Sequence, residues 1–358
     1  MNKIPVTILT GFLGAGKTTL LNKLMVSNTK EKVIVIINEF GETSIDHEFV
    51  LANDNERIYQ MENGCMCCIL RDDLVEMFYN IIEARKANEI EVDRIIIETS
   101  GLAEPSPIAQ TILRTPMISE VLLVDSIISL VDVENSLHQF RHYNESVEQV
   151  AYADLVYLTK TENVDDLKKT TVKDEVHRIN PFVEIKELDL TTVEFSDVVG
   201  LDLFDRSLSS VASVEKDIDV MLEREESHEH HDHDHDHDHG DHDHDHHHSD
   251  IDAFSIVIDE PIDAEKFEVW LNMLIVRYGM DLMRYKGILN IKDEPHQVVL
   301  QGVNMAFKTD LGKPWGNDRQ TKIVLIGKNL PEDIIRSLLV EHVIDDLIKA
   351  HNEKNTHE

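Results

Sequence analysis

Short apolar runs alternate with longer stretches of helical periodicity through the amino-terminal half of the chain. Residues 4–9, 33–37, 94–97, 121–124, 128–131 and 155–158 are apolar, rich in β-branched types and bounded by polar residues, the pattern of strands buried on both faces. Between them, residues 72–87 carry Leu74, Met77, Phe78 and Ile81 at helical spacing, and residues 19–25 and 164–179 have the same period. Strand and helix alternating in this way predict an α/β fold with a doubly wound, mostly parallel sheet, its ligand at the carboxyl ends of the strands. The pattern weakens over residues 201–224, and from 228 to 248 apolar positions vanish. Strand-like runs return at 254–258, 282–291, 297–303 and 322–326, with helical periods at 263–278 and 331–350, which predicts a second, smaller α+β domain. The expected organisation is residues 1–205 as the first domain, 206–252 as an acidic histidine-rich linker, 253–350 as the second domain and 351–358 as a tail.

Composition narrows the classes. A chain of 358 residues with 42% hydrophobic content has enough material for two cores. Its formal net charge of -35 would repel phosphate backbones and anionic lipid, so nucleic acid and membrane surfaces are excluded as general partners and cations become the natural ones. No basic region followed by an apolar core opens the sequence, and no apolar stretch approaches the roughly 20 residues that span a bilayer. The three cysteines, Cys65, Cys67 and Cys68, are too clustered to staple a fold as disulfides. Reduced thiols and the missing leader both fit a cytoplasmic protein.

The first strand leads into Gly11, Phe12, Leu13, Gly14, Ala15, Gly16, Lys17 and Thr18, which fit G-x-x-x-x-G-K-[ST] with a helix to follow. In such a loop glycines let backbone N–H groups turn inward around phosphate oxygens, the lysine adds charge near the β- and γ-phosphates, and the Thr18 hydroxyl suits Mg²⁺. Thr19 completes this part of the nucleotide-binding set. The run at 94–97 ends in Glu98-Thr99-Ser100-Gly101. Glu98 is placed to hold a Mg²⁺-bound water or orient an attacking water, and the Gly101 N–H to meet the γ-phosphate; with Lys17 these are the candidate catalytic groups. After residues 155–158 comes Thr159-Lys160-Thr161-Glu162, where a guanine-reading loop of the [NT]-K-x-D type would stand. Its carboxylate accepts from the two N–H groups on guanine's edge while the lysine stem lies against the ring. Glu162 is one methylene longer than the usual Asp, and GTP is favoured over ATP.

Cys65-Met66-Cys67-Cys68 follows Gly64, between the phosphate loop and Glu98, where GTPases keep their switches. Thiolates are soft ligands for Zn²⁺ or Cu(I), and two sulfurs on one zinc lie about 3.8 Å apart, so the segment must bend to chelate. Taken together, GFLGAGKTT at residues 11–19, NEFGE at 38–42, GCMCC at 64–68, ETSGLAEP at 98–105 and TKTE at 159–162 resemble the CobW-type family of metal-handling GTPases, which includes YjiA-like proteins, zinc metallochaperones and nitrile hydratase activators. Past the linker, residues 284–287, 300–303 and 326–327 resemble that family's carboxyl-terminal domain. The resemblance implies a transition metal at Cys65, Cys67 and Cys68 beside the switch region, oxygen ligands from Glu39 and Glu42, and a GTP cycle that governs transfer to a client metalloprotein. Some YjiA-like relatives carry a glutamate where this chain has Ile37, which leaves the fourth zinc ligand open.

The tract contributes His228, His230, His231, His233, His235, His237, His239, His242, His244, His246, His247 and His248, interleaved mainly with Asp. Neutral imidazoles bind Zn²⁺, Ni²⁺, Co²⁺ and Cu²⁺, and the carboxylates raise the local cation concentration, which suits a low-specificity reservoir. With nothing to bury, the tract is expected to stay solvated. The expected function is a slow GTPase that carries zinc, or else cobalt, nickel or another transition metal, to a client protein. Two other readings stay open at this point: a metal-storage or sensing protein whose nucleotide stabilises the fold, and an ATP-dependent phosphotransferase. Self-association driven by nucleotide or metal also stays open.

Overall fold

The computed structural model describes residues 3–26, 30–37, 56–60, 70–204, 250–317 and 319–343. The chain divides into two compact units, Met1–Arg206 and Ser207–Glu358.

In the first unit the order is β1 (Ile4–Gly11), α1 (Lys17–Val26), β2 (Val33–Ile37), β3 (Glu56–Gln60), α2 (Leu70–Lys86), β4 (Arg94–Glu98), α3 (Ser106–Arg114), α4 (Pro116–Ser119), β5 (Leu122–Asp132), α5 (Ser136–His142), α6 (Asn144–Ala151), β6 (Leu155–Thr159), α7 (Asp166–Ile179), β7 (Glu184–Glu187) and α8 (Phe195–Val198). The strands form one parallel sheet ordered β3-β2-β4-β1-β5-β6-β7. Successive side chains point to opposite faces, so each strand feeds two cores. Ile34 and Ile36, Ile95 and Ile97, and Ile4, Val6 and Ile8 pack with Leu74 and Phe78 of α2 and Ile108 and Ile112 of α3 on one face. Val33, Val35, Ile96 and Leu9 pack with Leu20, Leu21 and Leu24 of α1 on the other. Each such aliphatic side chain contributes about 1.5–3 kcal/mol on burial, which is why near-continuous apolar runs read as central parallel strands.

The two runs expected as separate strands at 121–124 and 128–131 are one strand, β5, through Asp125 and Ser126. The polar pair does not break it because the Asp125 carboxylate is satisfied inside the fold. It accepts from the Thr7 hydroxyl at 2.9 Å and from the Gly200 and Asp202 N–H groups at 3.1 and 2.8 Å, with the Arg94 guanidinium at 3.5 Å. The strand absorbs a register shift against β1 between Val6 and Thr7.

The second unit has β8 (Ile251–Ile258), α9 (Ala264–Tyr278), β9 (Leu282–Leu289), β10 (His296–Val303), β11 (Ala306–Pro314), β12 (Thr321–Lys328) and α10 (Glu332–Val343). Its five strands are antiparallel in the order β11-β10-β9-β12-β8. Phe267, Trp270, Leu271 and Leu274 of α9 and Ile335 and Leu339 of α10 pack on Phe254, Tyr285, Leu300 and Leu325 of the sheet. Asp263 caps α9 by accepting from the Glu265 and Lys266 N–H groups, the side-chain contact that an N-cap aspartate supplies to orphan donors. β11 has no counterpart among the expected strands, because as an edge strand it carries Lys308, Asp310 and Lys313 and little apolar signal.

Candidate nucleotide site

β1 ends at Gly11 and α1 begins at Lys17, so residues 12–16 form the connection at the carboxyl edge of the central strand. Gly11, Gly14 and Gly16 have φ values of 139°, 76° and 102°, a region that residues with a Cβ rarely enter. Gly11 also lies against the Leu130 backbone so closely that a side chain there would strike its carbonyl. Lys17 is 7% exposed, and its ammonium donates to the Gly11 and Phe12 carbonyls at 2.6 and 3.3 Å. It therefore sits over the loop whose N–H groups would receive phosphate. Thr18 and Thr19 are exposed on the first turn of α1.

Glu98 ends β4 next to β1, in register with Leu9. Its Oε1 accepts from the Thr18 hydroxyl at 2.7 Å, and the residue is 4% exposed. Two sequence candidates 80 positions apart are thus brought together. The hydroxyl and carboxylate are hard oxygen donors, so the pair fits Mg²⁺ by chemistry. Gly101 packs on the phosphate loop: an added Cβ would lie 2.6 Å from Leu13 Cδ2 and 2.8 Å from the Leu13 nitrogen. Thr99 ties the same segment to β1 through its hydroxyl to Thr10, at 2.9 Å, and its N–H to the Leu9 carbonyl, also at 2.9 Å.

The Thr159–Glu162 loop leaves β6 at the same edge. The Thr159 hydroxyl donates to the Ala15 carbonyl at 2.9 Å and lies 3.3 Å from the Val131 carbonyl, so this residue is buried between the two loops. Lys160 has a φ of 56° and its ammonium pairs with Asp132 at 2.7 Å. Glu162 is exposed. Below the loop, the Tyr157 hydroxyl donates to the Asp197 carbonyl at 2.7 Å, and burial, with Asp197 and Glu184 nearby, pushes its pKa up to about 12.

Two residues that sequence reasoning passed over belong to this site. Asp132 closes β5, and a lone carboxylate ending an apolar run was the signal for it. Gln149 on α6, 1% exposed, donates from Nε2 to the Gly101 and Ala103 carbonyls, both at 3.1 Å. A glutamine in a helix far along the chain gives no such signal.

Cys65, Cys67, Cys68, Glu39, Glu42 and the twelve tract histidines from His228 to His248 lie outside the described residues. Among the described residues no group of three or more His, Cys, Asp or Glu side chains is gathered to hold a metal ion. Ile37 ends β2 and packs against the core on the α1 side of the sheet.

Comparison with known proteins agrees with this geometry. The family model for the CobW/HypB/UreG nucleotide-binding domain matches residues 5–187, and that for the cobalamin synthesis protein cobW C-terminal domain matches residues 251–342. The chain is 31% identical to the zinc chaperone YjiA of Escherichia coli (strain K12), covering 94% of this chain and 98% of that protein. It is 30% identical to zinc-regulated GTPase metalloprotein activator 1 of Dictyostelium discoideum, covering 96% and 80% respectively. The crystal structure of Zn(II)-bound YjiA GTPase from E. coli superposes with a TM-score of 0.68 at 27% identity, over 96% of this chain and 99% of that one. Two matched domains in succession and relatives aligned over nearly their whole length make this chain a member of the CobW family.

Proposed function

We propose that the protein is a GTP-hydrolysing metallochaperone that binds zinc and passes it to a client protein under nucleotide control. The observation that carries the GTPase part is the convergence of the phosphate loop, Glu98 and the Thr159–Glu162 loop at one sheet edge, joined by Thr18–Glu98 and Thr159–Ala15 hydrogen bonds. Relatives named a zinc chaperone and a zinc-regulated GTPase metalloprotein activator support the cargo and the client. Thr18 and Glu98 would hold Mg²⁺, which when bound neutralises charge on the phosphate oxygens.

The chain's own groups do the rest. N–H groups of residues 12–18 cradle phosphate oxygens, and Lys17 exchanges its loop carbonyls for the β- and γ-phosphates. A water oriented on the Glu98 side attacks the γ-phosphorus; its O–P bond forms as the bond to the β-bridging oxygen breaks, and the proton the water gives up ends on the released phosphate, leaving GDP and inorganic phosphate. The Gly101 N–H reads whether the γ-phosphate is present. Glu162 accepts from guanine's edge, and this assignment selects GTP. Turnover near 10⁻⁴–10⁻³ s⁻¹ is expected, on the order found for a switch GTPase without an arginine finger. Cys65, Cys67 and Cys68 carry the tight zinc, with Glu39 and Glu42 as oxygen donors and the histidine tract as a weaker reservoir. The reduced, clustered thiols favour the cytoplasm; among the described residues no helix is long and apolar enough to cross a membrane.

Direct titration with GTP and ATP, followed by phosphate release with Mg²⁺, tests this reading. GTP should bind more tightly and Lys17→Ala should abolish turnover. Equal affinities for the two nucleotides would remove the base-reading assignment, and an undiminished Lys17→Ala would remove the catalytic one.

A further inference from the structure

Asp132 is a buried carboxylate, 2% exposed, at the end of β5. Burial of a charge is costly unless donors surround it, and here three do. Oδ1 accepts from the Glu134 N–H at 2.9 Å; Oδ2 accepts from Asn135 Nδ2 at 2.8 Å and from Lys160 Nζ at 2.7 Å. The first two are local and shape the corner into α5. The third comes from the residue just past the next strand, β6, whose last residue Thr159 is in register with Asp132.

Lys160 is constrained at both ends. Its backbone has a left-handed φ of 56°, which a non-glycine residue keeps when its surroundings over-determine it. Its ammonium is fixed at Asp132, yet the side chain remains 44% exposed. The aliphatic stem runs between these two fixed ends. An unpinned lysine would lose rotamer freedom when a ring stacked on it, whereas a pinned one has lost that freedom in the fold.

We infer that Asp132 is a positioning residue of the guanine site, which holds the Lys160 stem where the purine ring lies against it without itself touching the nucleotide. The inference rests on the reading of Thr159–Glu162 as the base-recognising loop. It differs from a turn-shaping role for Asp132 in one respect: the effect on the nucleotide must run through Lys160.

A double-mutant cycle on the full chain separates the two roles. Titrations with GTP, GDP and ATP are made on the parent, Asp132→Asn, Lys160→Met and the double variant. Asp132→Asn should weaken GTP and GDP alike by about tenfold, the size of a charge-assisted hydrogen bond discounted for a half-exposed lysine side chain. In the Lys160→Met background the same change should alter either constant by less than about twofold, because the partner through which it acts is gone. Asp132→Glu keeps the charge and moves the carboxylate by one methylene; should Asp132→Asn not fold, its smaller loss must likewise disappear with Lys160→Met. Losses of equal size in both backgrounds, or no loss in either, overturn the inference and leave the base-reading assignment standing if the parent prefers GTP. A parent that binds GTP and ATP equally overturns both.

Discussion

Thr159 and Ala15 are 144 positions apart, and the hydroxyl of the first donates to the carbonyl of the second at 2.9 Å. The bond fastens the loop assigned to the base to the loop assigned to the phosphates. Thr159→Val keeps the shape and removes the donor, leaving a buried carbonyl unsatisfied. It is expected to lower the unfolding free energy by about 1–2 kcal/mol and to weaken GTP and GDP together, whereas Thr159→Ser should retain both. Denaturant unfolding and calorimetric titration measure the two effects; unchanged nucleotide affinity in the valine variant would show that the loops act separately.

Gly101 has no room for a side chain. A Cβ there would come within 2.9 Å of three Leu13 atoms, two of them backbone, so the phosphate loop itself would have to move. Gly101→Ala should therefore weaken GDP as well as GTP and reduce turnover by more than about tenfold, the loss of one well-placed donor to the reacting phosphate. Gly14→Ala is the contrast, since a Cβ there meets nothing within 4 Å and only the φ of 76° opposes it. If both variants lose the same activity, steric contact with Leu13 is not what Gly101 avoids.

Gln149 reaches from α6 to hold the turn after β4. Nε2 serves the Gly101 and Ala103 carbonyls, while Oε1 is buried without a hydrogen-bond partner among the described residues. Gln149→Leu deletes both bonds and takes the donor from the Gly101 and Ala103 carbonyls, so a loss of stability should accompany the loss of function. We expect kcat for GTP to fall by about tenfold, the value of one to two hydrogen bonds, with GDP affinity within about twofold of the parent. Weakening of GDP to the same extent would mean that the residue supports the whole pocket rather than the γ-phosphate side.

The parts of the site read directly from sequence share a physical property: their chemistry needs residues close together in the chain. Gly11, Gly14, Gly16 and Lys17 work as one loop, and the strand before and helix after them are set by local apolar periodicity. Glu98 was legible because an apolar strand ended in a carboxylate, and the fold placed it against Thr18. Asp132 ends β5 in the same way, but its meaning lies in Lys160, which only the pairing of β5 with β6 brings near. Asp125 interrupts an apolar run that the fold keeps as one strand for the same reason, since its donors Thr7, Gly200 and Asp202 come from distant segments. Tertiary partners, not residue type, decide whether such a carboxylate breaks a strand.

Zinc affinity at Cys65, Cys67 and Cys68 is expected to depend on the nucleotide. In the sheet, Ile37 of β2 is in register with Gln60 of β3 and with Glu98 of β4, so three neighbouring strands end side by side. The chain leaving Ile37 carries Glu39 and Glu42, that leaving Gln60 carries the cysteines, and that leaving Glu98 carries Gly101. A γ-phosphate that draws in the segment after Glu98 acts at the sheet edge where β2 and β3 also end. Coupling of about 1–3 kcal/mol would change zinc affinity by roughly 5- to 150-fold between GTP and GDP forms, and zinc must shift the relative affinity for the nucleotides by the same factor. Chelator competition on a variant lacking residues 228–248 measures this without the weaker histidine sites. That variant should keep about one tight zinc, and Cys→Ser at all three cysteines should remove it. Equal zinc affinity with GDP and with a non-hydrolysable GTP analogue would mean that nucleotide alone does not release the metal, and that the client must read the switch.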